Sequence, residues 1–330
     1  MDFELSDDQR MLVDTVANFV RRESPVSRAR KLRDDAIGYS RATWQKMGEL
    51  GWLGLPFGEE LGGLGGGMVD VALVLEQLGL GLVPEPYLST VVLAGGALSR
   101  AGSAEQQARW LAPAVAGERT LALAYAERDG RYDPSAVATR AERDGEGYRL
   151  HGEKLFVLGG QDADAIVVTA RDGEGVSLLV VERDAPGLQV RPVTTLDGRR
   201  AAVLRFEGVH VEAAARLGAA GEALPVIEAV LDDGAAAACA EGAGLARAVL
   251  DMTTDYLRTR EQFGVKIGSF QVLQHRAVDM FIETELLRST MLLAAIKAVL
   301  LSLFGDEAYH LQRYAALPSF TRGVPTTPGA

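Results

Sequence analysis

The sequence predicts a mainly α-helical protein with a central β-domain, and three changes of hydrophobic period predict it. Apolar residues recur at helical spacing from Ser6 to about Gly117, then in short turn-bounded runs, and from about Glu222 at helical spacing again. Helices, strands and helices divide the 330 residues into an N-terminal helical domain (1–118), a central β-domain (119–212) and a C-terminal helical domain (213–330). A chain of that length exceeds what one core serves, and an apolar share of 48% supplies material for several.

In the first zone Met11, Leu12, Val16, Phe19 and Val20 mark one face of a helix, and Ser6 with Gln9 three residues on reads as its capping box. Glycines at 62, 63 and 65–67 then separate this helix group from a later helix at 69–80. The cluster lacks the Lys-Ser/Thr of a phosphate-binding loop and no apolar strand feeds it, so it reads as punctuation. Seven short runs follow, at 120–125, 136–140, 148–151, 165–169, 176–181, 188–191 and 202–206. Their β-branched content predicts a small antiparallel barrel or sandwich, with hairpin punctuation at Gly145 and Gly152. The last zone predicts one long Ala-rich helix through Arg258 and another from Phe270 to Val299, burying Val272, Leu273, Val278, Met280, Ile282 and Leu286.

A net charge of -11 and a pI near 5.0 argue against nucleic acid as a partner, whereas a local basic patch would suffice for a CoA thioester. Cys239 has no second cysteine to pair with and reads as a buried, inert thiol. The acidic N-terminus lacks the basic and apolar regions of a signal peptide and no run is long enough for a membrane span, so the cytoplasm is the expected location. His151, His210, His275 and His310 are too dispersed to predict a metal site.

The most informative run is RTREQFGVKIGSFQVLQ at 258–274. It places a guanidinium suited to bidentate pyrophosphate binding (Arg260), two aromatic rings (Phe263, Phe270) and two amides (Gln271, Gln274) at a helix-to-helix junction. Here the chain resembles the acyl-CoA dehydrogenase family, in which an R-x-x-F-G…F-Q motif binds the FAD of a neighbouring subunit. Runs at 44–56, 111–118 and 206–211 extend the resemblance along the chain. It implies a helical N-terminal domain, a small antiparallel β-barrel or sandwich and a C-terminal bundle. The implied reaction is α,β-desaturation of an acyl-CoA thioester: a carboxylate removes the α-proton, the β-hydrogen leaves as hydride to flavin N5, and electron-transfer flavoprotein is the implied acceptor. Arg260, Phe263, Phe270 and Gln271 are the implied cofactor contacts. Phe156 reads either as a shield for the flavin ring or as plain core.

The departures from the family pattern concern the reaction's machinery. In one branch the base lies on the long C-terminal helix, and counting back from Arg260 lands on Gly234, which leaves Asp233, a methylene shorter than Glu, as the candidate base. In the other branch the base follows a Q-x-x-G-G-x-G segment that also touches FAD, and this sequence contains none, so the C-terminal region reads as shortened. Where many members carry T-E-P-G-A-G-S-D and K-x-W-I-T, the chain has Ala126 to Asp133 and Lys154 to Leu158, without the Thr hydroxyls. These departures resemble the small subunit of pimeloyl-CoA dehydrogenase and related bacterial heteromeric acyl-CoA dehydrogenases, implying a homo- or hetero-oligomer with another family subunit. Two readings stand: an FAD-dependent dehydrogenase subunit with Asp233 as base, or a non-catalytic structural partner that completes another chain's site. Small residues at 235–240 and 242–244 leave space for an acyl chain or for close backbone packing.

Overall fold

A computed structural model describes residues 4–130 and 133–304. The first helix, α1 (Asp7–Glu23), opens with the predicted capping box: Ser6 Oγ accepts from the Gln9 amide, and Gln9 Oε1 accepts from the Ser6 amide. Then come α2 (Val26–Arg33), α3 (Arg41–Glu49) and α4 (Met68–Leu80), the last buried along residues 71–79, as befits a helix apolar on nearly every side. A π-helical stretch, Leu88–Gly95, runs into α5 (Gly96–Ala101), and α6 (Ala104–Gln106) reaches α7 (Ala112–Val115) through a second one, Gln107–Leu111. Buried indoles fasten these helices to the next domain: Trp110 Nε1 donates to Glu182 Oε1 at 2.7 Å, and Trp44 Nε1 to the Arg119 carbonyl at 3.1 Å.

The β-domain comprises β1 (Leu121–Ala124), β2 (Arg140–Asp144), β3 (Gly147–Leu158), β4 (Ala165–Arg171), β5 (Val176–Glu182), β6 (Leu188–Thr194), β7 (Arg200–Val211) and β8 (Arg216–Leu217). They pair in the order β6-β7-β3-β2-β4-β5-β8, with β1 against β4. The sheet therefore has two ends and is open rather than a closed barrel. It is also mixed, since β1 runs parallel to β4 and β2 touches β4 in parallel. Gly145 makes the β2–β3 hairpin turn at φ +60°, as predicted, but Gly152 is no turn. It lies within β3 opposite Phe206, where a Cβ would stand 2.6 Å from Thr139 Oγ1.

The long helix α8 (Leu224–Thr259) leads through a two-stranded hairpin, β9 (Glu261–Gln262) and β10 (Val265–Lys266), to α9 (Gln271–Phe304). Against α4 the small residues of α8 serve close backbone packing: a Cβ on Gly244 would overlap the Glu76 carbonyl oxygen, and one on Gly79 that of Glu241. Arg288 Nε on α9 reaches Glu76 Oε1 at 2.9 Å and ties the third helix to this pair. The expected burial of α9 needs correction. Met291, Ala295 and Thr284 are buried, whereas Val272, Val278, Ile282 and Leu286 are exposed and Leu273 and Met280 half-buried. Val272, Val278, Ile282 and Leu286 stay largely open to solvent among the described residues, Val278 beside Leu250 and Thr254 of α8. Cys239 is half-buried against the core. Of the C-terminal region read as shortened, residues 305–330 lie outside the described residues.

Candidate functional site

Three groups of candidate residues occupy separate places. The first is the hairpin after α8. Phe263 and Gly264 form its two-residue turn, both in the left-handed region at φ +57° and +80°, the signature of a type I′ turn. Phenylalanine is an unusual first residue for such a turn, because its Cβ opposes a positive φ. The consequence is a ring held 92% exposed, edge-on to Phe270 at 6.2 Å and 75°. Arg260 caps α8, its carbonyl accepting the Ile267 amide at 2.9 Å, and its exposed guanidinium has no side-chain partner among the described residues. Gln271, at the start of α9, is likewise exposed, while Gln274 Nε2 returns to the Gly268 carbonyl. The structure thus brings Arg260, Phe263, Phe270 and Gln271 together at one solvent-facing junction.

The second group is the bulge of β3. Pairing with β7 shifts register between Lys154 and Val157, and the intervening Phe156 adopts φ +49° with its ring 64% exposed. Of its two sequence readings, plain core is therefore excluded. The bulge is held from beneath. Lys154, fully buried, donates to Glu127 Oε1 and to Thr169 Oγ1, each at 2.6 Å, and Glu127 also accepts the amides of Ala138 and Thr139. The Leu155 amide donates to the Ala126 carbonyl at 2.9 Å, closing the two segments together. Burial lowers the Lys154 ammonium to about 8 against the pull of Glu127. Burial also pushes the Glu127 carboxyl up, but Lys154 and Thr139 together hold it below its ordinary value. Sequence reasoning did not single out this pair, whose only signal was an acid in the Ala126–Asp133 run and a lysine in the Lys154–Leu158 run.

The third group is the stretch of α8 around Gly234 where the sequence leads us to expect a base. Asp233 Oδ2 meets Arg100 Nη2 at 2.5 Å; burial raises its carboxyl above the ordinary value, with Arg100 opposing. Gly234 faces Leu93 of the π-helical stretch, whose Cδ2 would lie 2.6 Å from a Cβ there. The space that a base side chain at 234 would enter is filled by leucine. Gly234 and Arg260 are separated by most of α8, about 39 Å at ~1.5 Å per residue, so this helix holds the two positions singled out in the sequence well apart.

An N-terminal helical unit, an open β-domain and a long-helix unit that ends in an exposed R-x-x-F-G hairpin together define a flavoprotein dehydrogenase architecture. The chain belongs to the acyl-CoA dehydrogenase family, oxidoreductases acting on CH–CH bonds: it matches the family's N-terminal domain over residues 6–118, its middle domain over 122–209 and its C-terminal domain over 221–308. It is 33% identical to the probable acyl-CoA dehydrogenase YngJ of Bacillus subtilis over 89% of this chain and 80% of that one. It is 36% identical to acyl-CoA dehydrogenase FadE27 of Mycobacterium tuberculosis over 89% and 77%. Among solved structures, the ChsE4-ChsE5 complex from Mycobacterium tuberculosis superposes with a TM-score of 0.83 and 33% identity, over 93% of this chain and 81% of that one. Among the described residues no helix is long and apolar enough to cross a membrane.

Proposed function

We propose that the chain is a subunit of a heteromeric, FAD-dependent acyl-CoA dehydrogenase, in which it lends flavin contacts while a second family chain supplies the carboxylate base. The observation that carries this reading is the contrast along α8: an intact, exposed Arg260 motif at one end and a base position filled by Leu93 at the other. A motif that faces solvent about 39 Å along the helix from its own base position is placed to serve a neighbour. The exposed apolar residues Leu245, Val249, Met252 and Tyr256 recur at helical spacing on α8 and lead toward that motif, a face suited to another helical subunit.

Within such an assembly each group has a task. FAD, when bound, supplies the hydride acceptor for α,β-desaturation of an acyl-CoA. Arg260 presents a fork of donors to the pyrophosphate, Phe263 and Phe270 offer ring faces and Gln271 an amide to the nucleotide end. Phe156 stands out of the β-domain as a platform for a flat ring, though Ala126 and Leu158 beside it bring no side-chain donors. For Asp233 to act as base it would first have to leave Arg100, so its closest role is to anchor α8 to α5. Electron-transfer flavoprotein is the acceptor the family implies.

The visible absorption spectrum of the chain, purified alone and after co-expression with a second family chain, tests this reading. Flavin retained only by the co-purified complex, and bleached there by acyl-CoA, is the expected result. Flavin on the lone chain that bleaches with acyl-CoA would establish a self-sufficient dehydrogenase and sink it.

A further inference from the structure

Phe156 holds a backbone conformation that its own side chain disfavours. At φ +49° it lies in the left-handed region, where a residue with a Cβ is strained and persists only when its surroundings over-determine it. The ring cannot supply that restraint, being largely exposed, and the ladder to β7 is interrupted between Lys154 and Val157. What holds the bulge is a set of ties from beneath. The Leu155 amide donates to the Ala126 carbonyl at 2.9 Å. Lys154 Nζ donates to Glu127 Oε1 and Thr169 Oγ1 at 2.6 Å each and to the Tyr125 carbonyl at 3.4 Å, and Glu127 in turn accepts the amides of Ala138 and Thr139. One ammonium thereby joins the exit of β1, the bulge of β3, the middle of β4 and the segment that enters β2.

Such a joint is a costly way to gain stability. A buried ion pair often does no better than apolar residues of the same volume, because desolvation offsets the attraction between the charges. What it does supply is one arrangement. An ammonium whose three donors meet the oxygens of Glu127, Thr169 and Tyr125 cannot slide as an apolar filler can. We propose that Lys154 and Glu127 are positioning residues for the flavin, setting the β3 bulge so that Phe156 stands out as a fixed platform for the ring system. This assignment rests on the flavin reading given above. Lys154 has no exposed side-chain surface, so it acts through the backbone of Leu155 and Phe156 and not by contact with the cofactor.

The test reads each variant, in the complex co-expressed with a second family chain, by hydrogen–deuterium exchange of residues 153–158 and by the visible circular dichroism of bound flavin. Lys154→Met combined with Glu127→Gln removes the joint without leaving a lone buried charge. Thr169→Val, close to isosteric, removes a single tie and decides the matter should the double variant not fold. Gly244→Ala, which crowds the contact of α8 with the Glu76 carbonyl, is the control for general destabilisation. In the double variant the bulge should exchange at least roughly tenfold faster and flavin should bind roughly tenfold more weakly with an altered dichroism. Thr169→Val should move both readouts the same way by less, and Gly244→Ala should leave both as in wild type. Unchanged exchange at the bulge, unchanged flavin affinity and dichroism in a folded variant, or the same changes in Gly244→Ala would each overturn the proposal. A wild-type complex that holds no flavin would defeat the flavin reading itself, and the proposal with it.

Discussion

Leu93 and Gly234 are packed against each other so closely that a single carbon added to Gly234 would stand 2.6 Å from Leu93 Cδ2. A residue at 234 and the leucine facing it are thus alternatives for one volume. Gly234→Glu alone should destabilise the protein by about 1–3 kcal/mol through overpacking. In a Leu93→Ala background the same substitution should cost less, giving a coupling of about 0.5–3 kcal/mol in a double-mutant cycle measured by urea denaturation. Additive effects would mean that Leu93 does not occupy the space.

The Lys154–Glu127 pair predicts a stability effect larger than any surface ion pair could give. Lys154→Met leaves Glu127 buried beside no cation and should cost about 3–5 kcal/mol. Adding Glu127→Gln, which still offers an oxygen to the amides of Ala138 and Thr139, should recover part of that loss. The pH dependence has two arms. Glu127 is held below its ordinary value, so its contribution is complete above about 4.5 and is lost as pH falls through the folded-state value. Lys154 titrates near 8 folded and 10.5 free, so between those values the unfolded chain binds more protons and stability rises with pH. Urea midpoints at pH 7 and pH 10 should show wild type gaining on Lys154→Met; no gain would exclude this titration.

How much of this was legible in the sequence depended on the range of each interaction. Ser6 and Gln9 were readable because a capping box is local, and the junction between the two long helices near Arg260 because the helical period breaks there, although its two-stranded hairpin was not foreseen. The vacancy at Gly234 was visible by counting, but Leu93 was not, since nothing in either segment marks a contact so distant in sequence. The open path of the sheet was hidden for the same reason: strand runs report their own period and not their neighbours. The α9 misreading has a different cause. An apolar stripe such as Val278, Ile282 and Leu286 has the same period whether its cover comes from the same chain or from another.

Two glycines on opposite faces of α8 separate packing from propensity. Gly242 has open space where a Cβ would go, so Gly242→Ala should stabilise the helix by about 0.5–1 kcal/mol. Gly244 faces the Glu76 carbonyl, so Gly244→Ala must push α4 aside and should cost about 1–3 kcal/mol or more. Thermal melting of the two variants should therefore shift in opposite directions. A neutral Gly244→Ala would show that the helices have room to spread.

The Arg260 hairpin offers the sharpest separation of binding from folding, because its turn residue is a poor choice for the turn. Asparagine tolerates positive φ better than phenylalanine, so Phe263→Asn should leave stability within about 0.5 kcal/mol or improve it, while removing the exposed ring. Arg260→Lys keeps the charge and loses the fork that meets a pyrophosphate with two bonds. Both variants, co-expressed with the second chain, should form the complex normally and retain less flavin, read as the ratio of flavin absorbance to protein. Arg260→Lys should weaken FAD by roughly tenfold, the value of one charge-assisted hydrogen bond. If flavin content is unchanged in both variants while the complex assembles, the hairpin lends nothing to a neighbour's cofactor, and its exposed ring must be explained by subunit packing alone.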